Sequence, residues 1–211
     1  VAPSNPWLGV MRPCTPLHHL LMRALGFPVV ATSGNRGDEP IIASEAGAIQ
    51  HLAGIADVFL THDRPIARPV DDSVVRMVAG REMILRCARG YAPLVLPGPR
   101  VASPGLALGG HQKSAVALAV DGQVILGPHI GDLDGVAARD AFAKTVDGMT
   151  ALYGIRPAVV ACDRHPDYHG TRFADGTGLP VQRVPHHVAH VLAGMLDNGL
   201  DGPVLGVAWD G

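Results

Sequence analysis

Apolar and polar positions along this chain follow two periods, and the period changes from segment to segment. Between Leu17 and Leu25 the apolar residues recur as on one face of a helix. Pro28 to Thr32 is a short apolar run that enters the polar turn Ser33-Gly34-Asn35-Arg36-Gly37-Asp38, which predicts a short buried strand. Ser44 is placed to cap a helix running to about Ala53. Asp57 to Thr61 predicts another strand. Ser73 to Val78 and Glu82 to Cys87 predict two strands joined by a turn at Ala79-Gly80-Arg81.

The second half has a clearer rhythm. Ser114 to Val120 and Gln123 to Pro128 are apolar strands, and Asp121-Gly122 between them is a strong two-residue hairpin signal. A helix is predicted over about Gly135 to Tyr153. Strands follow at Ala158 to Cys162 and Pro180 to Val184. His187 to Asn198 predicts a helix with Val188, Val191, Leu192 and Met195 on one face, and Val204 to Ala208 predicts a last strand. Leu96 to Gly105 holds three prolines and two glycines in ten residues and reads as a linker. The expected organisation is α/β, with domains at residues 1–97 and 105–211 joined by residues 98–104. Hairpin, helix, strand, helix, strand is similar to the opening of an RNase H-like or actin-like ATPase core. Sites in such folds gather where strand ends meet the first hairpin turn and later loops.

Composition narrows the class. The 211 residues suggest one or two domains, and 47% apolar residues suffice for a core. The apolar runs are too short to span a bilayer. No signal peptide pattern opens the chain. The first residues lack a Met and the chain stops directly after a predicted strand, so a fragment cut at both ends, or a truncated product, is expected. Seventeen basic and nineteen acidic residues give a net charge of −2 without a basic stripe, which argues against nucleic acid as a direct partner. Cys14, Cys87 and Cys162 are too scattered for a disulfide framework or a zinc ribbon and fit a reducing cytoplasm.

Eleven histidines are a high number, and two of them carry the most chemistry. His186 and His190 stand four residues apart in Pro-His-His-Val-Ala-His. Four residues is about one helical turn, so both imidazoles can grip one metal ion. Asp210, closing the last apolar run, is a natural third ligand. The same spacing also serves a plain polar helix start. Thr32-Ser33-Gly34-Asn35 can bind phosphate oxygens or be an ordinary polar turn. His62-Asp63-Arg64-Pro65-Ile66 and Arg68 to Ser73 can line an anion pocket or form a solvated loop. Arg86 and Arg89 suit phosphate or carboxylate, or simply a strand end in solvent. Lys113, one of only two lysines, lies in the Gly-rich turn Gly109 to Ser114 and can offer a point charge to phosphates, although the P-loop spacing is absent. Cys162 to Thr171 packs carboxylates, imidazoles and a phenol at a strand end. Asp163 and His165 there can do acid–base work or hold water near a metal, or belong to a polar loop whose Pro166 starts a helix.

Taken in order, these segments resemble the hydrogenase maturation carbamoyltransferases (HypF). The matching stretches are Asn5 to Leu21, Thr32 to Asn35, His62 to Ile66, Asp71 to Arg76, Arg86 to Tyr91, Cys162 to Tyr168, Pro185 to His190 and Trp209-Asp210-Gly211. The resemblance implies the later part of a YrdC-like domain followed by the first part of a TsaD-like, actin-fold domain. It implies an ATP-dependent, adenylate-forming enzyme that uses carbamoyl phosphate and Mg²⁺. The YrdC-like domain makes carbamoyl adenylate, and the TsaD-like domain passes the carbamoyl group to the C-terminal cysteine of a HypE-like acceptor protein, where it becomes cyanide. Position by position, Ser33, Gly34 and Asn35 fall on the adenylate-contacting element. Arg89 and Lys113 fall on the nucleotide side, His186 and His190 on the metal-binding pair (zinc or iron), and Asp210 on the nearby carboxylate. Asp163, His165 and Tyr168 fall in a His-Pro-x-Tyr loop assigned to catalysis. Arg36 and Asp38 depart from the usual Ser-Gly-Glu, Val188 replaces a third His, and His169-Gly170 stands where Ser is common. The implied setting is cytoplasmic, without membrane or direct nucleic-acid contact. A chain this short is expected to be inactive alone. Two rivals stay open: a threonylcarbamoyl adenylate enzyme of tRNA modification, and a non-catalytic nucleotide-binding or docking fragment.

Overall fold

A computed structural model describes residues 3–37 and 39–210. The chain divides into two compact units, Val1–Ser33 and Gly34–Gly211. Asp38, from the predicted polar turn, and Gly211, from the Trp-Asp-Gly motif, lie outside the described residues.

The first unit is built on helix α1, Pro16–Leu25. Thr15 caps it, its Oγ1 accepting from the His18 amide at 3.2 Å. Pro16 opens it, where its missing N–H costs nothing. Gly26, at φ 71°, ends it in the left-handed conformation that favours glycine. Pro28 to Thr32 is not a strand. A strand exists only through a hydrogen-bonded neighbour, and among the described residues none pairs with this run.

In the second unit, helix α2 spans Glu45–Leu52, with Ser44 Oγ accepting from the Gly47 amide at 3.1 Å. Strands β1 (Val74–Val78) and β2 (Arg81–Arg86) form an isolated antiparallel hairpin. Its turn residues Ala79 and Gly80 both have positive φ, 49° and 77°, which matches the right-handed twist of the flanking strands. Asp57 to Thr61 forms no strand, and Val58 and Leu60 there are exposed.

A six-stranded sheet follows. Its strands are β3 (Leu94–Pro97), β4 (Gly105–Leu108), β5 (Val116–Val120), β6 (Gln123–Leu126), β7 (Val159–Asp163) and β8 (Val181–Val184). The spatial order is β3-β6-β5-β4-β7-β8, antiparallel from β3 to β4 and parallel from β4 through β8. The β5–β6 turn is Asp121-Gly122, again with two positive φ values. β3 and β4 flank the predicted linker, and both belong to this sheet. Residues 98–104 connect them tightly: the Gly98 amide donates to the Gly122 carbonyl at 2.7 Å.

Helices α3 (Val136–Tyr153), α4 (His169–Gly176) and α5 (His186–Asp197) complete the unit. α3 buries Ala138, Phe142, Val146 and Met149, a spacing that puts all four on one face. They pack with Leu106, Leu108, Val116, Leu118, Ile125, Val160, Cys162 and Ala174 into one core. Phe142 sits edge-on to Phe173 and to His169 with ring centroids 5.3 Å apart in each pair. Among described residues before Leu106, Ala88 alone is buried, so this core belongs to the sheet and helices after β3. Val204 to Ala208 is not a strand; Leu205 and Val207 are exposed. No helix among the described residues is long and apolar enough to cross a membrane.

Candidate functional site

The first turn of α5 and the C-terminal end of β7 lie side by side, and the densest group of chemically active side chains is there. Pro185 is the α5 N-cap, and its carbonyl accepts from the amides of Val188 and Ala189. His186 is therefore the first helical residue and His190 sits one turn on. Their Nε2 atoms are 3.2 Å apart. Asp210 Oδ2 lies 2.9 Å from His186 Nε2 and 3.4 Å from His190 Nε2.

These separations can be tested against a metal ion. Ligand bonds of about 2.0–2.2 Å place neighbouring donors roughly 2.8–3.5 Å apart on a tetrahedral or octahedral shell. All three observed separations fall in that span. Two imidazoles and one carboxylate form a donor set suited to zinc or iron. It is a poor set for Mg²⁺, which prefers oxygen. The arrangement leaves the remaining coordination directions open, since His190 and Asp210 are about half exposed.

The two histidines are held unequally. His186 Nδ1 lies 2.6 Å from Asp163 Oδ2. Asp163, the last residue of β7, has a side chain only 9% exposed. Its Oδ1 accepts from the His165 amide at 2.8 Å. The hydrogen bond to Asp163 raises the pKa of His186; burial opposes this, and the charges of Asp163 and Asp210 add to it. Asp163 thus faces His186 rather than open solvent.

An aromatic wall stands beside this group. The His165 and Tyr168 rings stack at 4.3 Å, with planes 13° apart. The other neighbour of Tyr168 is His111, at 5.5 Å and 28°. Tyr168 also meets His186 edge-on at 6.4 Å. His111 was not singled out from the sequence. Its Nε2 is 3.0 Å from Asp134 Oδ1 and its Nδ1 accepts from the His169 amide at 3.3 Å. Only the Gly-Gly-His turn itself hinted at it, because its partners come from distant segments. A Cβ on the neighbouring Gly110 would meet His186 Cε1 at 3.3 Å, closer than carbons prefer.

The structure therefore brings together six of the sequence-predicted residues: Asp163, His165, Tyr168, His186, His190 and Asp210. The others sit elsewhere. Lys113 has φ 48°, and its amide donates to Asp132 Oδ1 at 2.7 Å. The Arg89 guanidinium pairs with Asp72, and its amide donates to the Asp71 carbonyl. Asn35 spends its side-chain amide locally on the carbonyls of Arg36 and Glu39, while the Gly34 carbonyl accepts from Ile42. Ser33 is exposed and closes the first unit.

A second polar cluster surrounds His129. Its amide donates to the Cys87 carbonyl at 2.8 Å and its Nε2 lies 4.0 Å from Asp71 Oδ2. Burial lowers its pKa first and the charge of Arg86 second; Asp71 and Asp132 oppose them. An open groove of about 400 Å³ leads away from His190 between α5 and residues 204–209.

Comparison with known proteins places two family models along the chain. The family model described as "HypF Kae1-like domain" matches residues 100–197. The Sua5/YciO/YrdC model, described as "Telomere recombination", matches residues 1–88. Carbamoyltransferase HypF of Synechocystis sp. is 47% identical over 214 residues, covering 100% of this chain and 28% of that protein. The Rhodobacter capsulatus Carbamoyltransferase HypF is 43% identical, covering 94% of this chain and 28% of that protein. Among solved structures, full-length HypF in a phosphate- and nucleotide-bound form superposes with a TM-score of 0.91 at 40% identity, over 97% of this chain and 32% of that one. HypF of T. kodakarensis gives 0.84 at 30% identity, over 92% and 26%. The chain thus spans less than a third of the relatives it matches.

Proposed function

The chain belongs to the HypF carbamoyltransferase family, and on that premise we propose that it carries the metal centre and part of the nucleotide site of an ATP-dependent carbamoyltransferase. The observation that carries the proposal is the convergence of His186, His190 and Asp210, whose three donor atoms all lie within 4.8 Å of one another. Zinc or iron held by these residues would supply Lewis-acid charge to the site.

The residues of the chain divide the work. His186, His190 and Asp210 would hold the ion. Tyr168, against the rings of His165 and His111, gives the site an aromatic wall. His165 is the nearby acid–base group. Ser33, Gly34 and Asn35 contact the adenylate. Arg89 and Lys113 balance phosphate charge, with Mg²⁺ accompanying ATP. The two family-model matches, 1–88 and 100–197, support a YrdC-like stretch to about residue 97 and a TsaD-like stretch from about 105. The pairing of β3 with β6 puts residues 94–97 in the sheet of the second stretch.

In this reading carbamoyl phosphate is hydrolysed to carbamate and phosphate, carbamate and ATP give carbamoyl adenylate and pyrophosphate, and the carbamoyl group passes to the C-terminal cysteine sulfur of a HypE-like acceptor in the cytoplasm with release of AMP. Adenylation converts a poor leaving group into a good one. Carbamate decomposes in water, so its intermediates need a closed site. A chain that spans less than a third of its relatives is not expected to complete the cycle alone.

The test is a graft. These residues replace the corresponding stretch of the Synechocystis carbamoyltransferase, and carbamoyl-phosphate-dependent exchange of pyrophosphate into ATP is measured. Retained exchange, together with carbamoyl transfer to the acceptor cysteine that is lost with His186→Ala/His190→Ala, supports the proposal. Exchange that requires threonine instead points to tRNA modification, a reading that the net charge of −2 does not favour. A graft that folds but shows no exchange with either substrate leaves a docking module.

A further inference from the structure

Asp163 is the one carboxylate of the cluster that does not reach the converging donors. It lies behind His186, on the far side of the imidazole from Asp210. An ionised carboxylate only accepts hydrogen bonds. At 2.6 Å from Nδ1, the shorter of the two carboxylate contacts on the ring, it holds a proton there, while Asp210, at 2.9 Å from Nε2, competes for that proton only as long as no ion takes the Nε2 lone pair. The carboxylate is itself anchored. Its second oxygen accepts from the His165 amide, and the Asp163 carbonyl accepts from Thr171 Oγ1 at 3.1 Å. The next residue ties β7 to β8, the Arg164 amide donating to the Val184 carbonyl at 3.1 Å. His190 has no such support: among the described residues no hydrogen bond is made by its Nδ1.

We propose that Asp163 is a positioning residue rather than a general acid or base: it sets the tautomer and ring orientation of His186, so that His186 is the preformed ligand and His190 the adaptable one. This rests on the metal-centre reading above and deepens it. Carboxylates that hold a ligating imidazole in this way typically change metal affinity by about 10–100-fold when removed. A second consequence is asymmetry. Helix α5 offers His190 at a place where it can swing, while His186 is locked between β7 and the ion site.

The test uses this chain and has two independent readouts. The first needs no metal: nitrogen NMR of His186 at pH 8 in an Asp210→Ala chain, where the competing carboxylate is gone and an Nδ1–H, Nε2-unprotonated tautomer is expected. Asp163→Asn is expected to spread His186 over both tautomers. The second is zinc affinity by chelator competition, where Asp163→Asn is expected to lose about 10–100-fold, with a melting temperature close to that of the unsubstituted chain. In a His186→Ala background the same substitution is expected to cost nothing further, which separates action through His186 from general structural damage. His186 in the Nε2–H tautomer in the Asp210→Ala chain overturns the proposal. So does an Asp163→Asn variant with unchanged tautomer and unchanged zinc affinity. Absence of zinc binding by the unsubstituted chain overturns the metal reading instead, while the tautomer measurement still decides the role of Asp163.

Discussion

Gly110→Ala converts the packing of the site into a number. Gly110 lies outside the left-handed region of backbone space, so alanine meets no backbone strain there. What it meets is His186: the new methyl would stand 3.3 Å from Cε1 and 4.0 Å from Nδ1. Carbon atoms prefer about 3.5–4.0 Å, so the ring must retreat by a few tenths of an ångström. Metal ligands tolerate roughly ±0.2 Å, and His186 is also pinned by Asp163. Overpacking costs about 1–3 kcal/mol in a core. The low end applies here, because the yielding group is a partly exposed side-chain edge. A loss of about 1 kcal/mol lowers metal affinity roughly fivefold, with little change in folding stability. Gly109→Ala is the internal control. Its methyl would lie 2.5 Å from the Ala115 carbonyl oxygen and 3.1 Å from the Ala115 amide nitrogen. Backbone cannot yield as a side chain does, so this variant is expected to lose stability, by more than about 2 kcal/mol. Chelator competition and urea unfolding on both variants give the comparison. Equal metal affinity in Gly110→Ala and the unsubstituted chain would refute the argument.

Two further outcomes are expected. Phe142→Ala removes a fully buried ring that joins α3 to α4 and should cost about 3–5 kcal/mol in equilibrium unfolding; a loss below about 1 kcal/mol would contradict the packing described. His129 is surrounded by Asp71, Arg86, Lys113 and Asp132, and its pKa is lowered from 6.5, chiefly by burial. Its folded form binds fewer protons than the unfolded chain, so its contribution to stability is present above pH 6.5 and is lost as pH falls below it. His129→Gln should flatten that acid-side slope in a series of urea unfolding curves, and an unchanged slope would exclude His129 as its source.

Local signals in the sequence carried the hairpins and most helices, whereas α4 was read only as a polar loop whose Pro166 could start a helix. Asp121-Gly122 and Ala79-Gly80 are turns because each ends in a glycine that takes positive φ freely, and Ser44 is a cap because its hydroxyl faces an orphan amide. The convergence of His186 and His190 was equally legible, since one helical turn puts both imidazoles on one face. Strands β3 and β4 were not. Their Pro97 and Gly105 read as linker punctuation, yet β3 lies at the sheet edge and ends at Pro97, a place that tolerates proline. The opposite error occurred at Pro28 to Thr32, Asp57 to Thr61 and Val204 to Ala208. Their composition suits a strand, but a strand also needs a neighbour, and pairing is not written in the segment itself. His111 and the role of Asp163 escaped for the same reason: both depend on partners far away along the chain.

Metal stoichiometry and ATP binding of this chain, compared with its His186→Ala/His190→Ala variant, test the central claim most directly. The account predicts close to one equivalent of zinc or iron in the unsubstituted chain and its loss in the variant, with the fold retained. Equal metal content in the two proteins, or none in either under saturating zinc and iron, would contradict a metal centre formed by His186, His190 and Asp210.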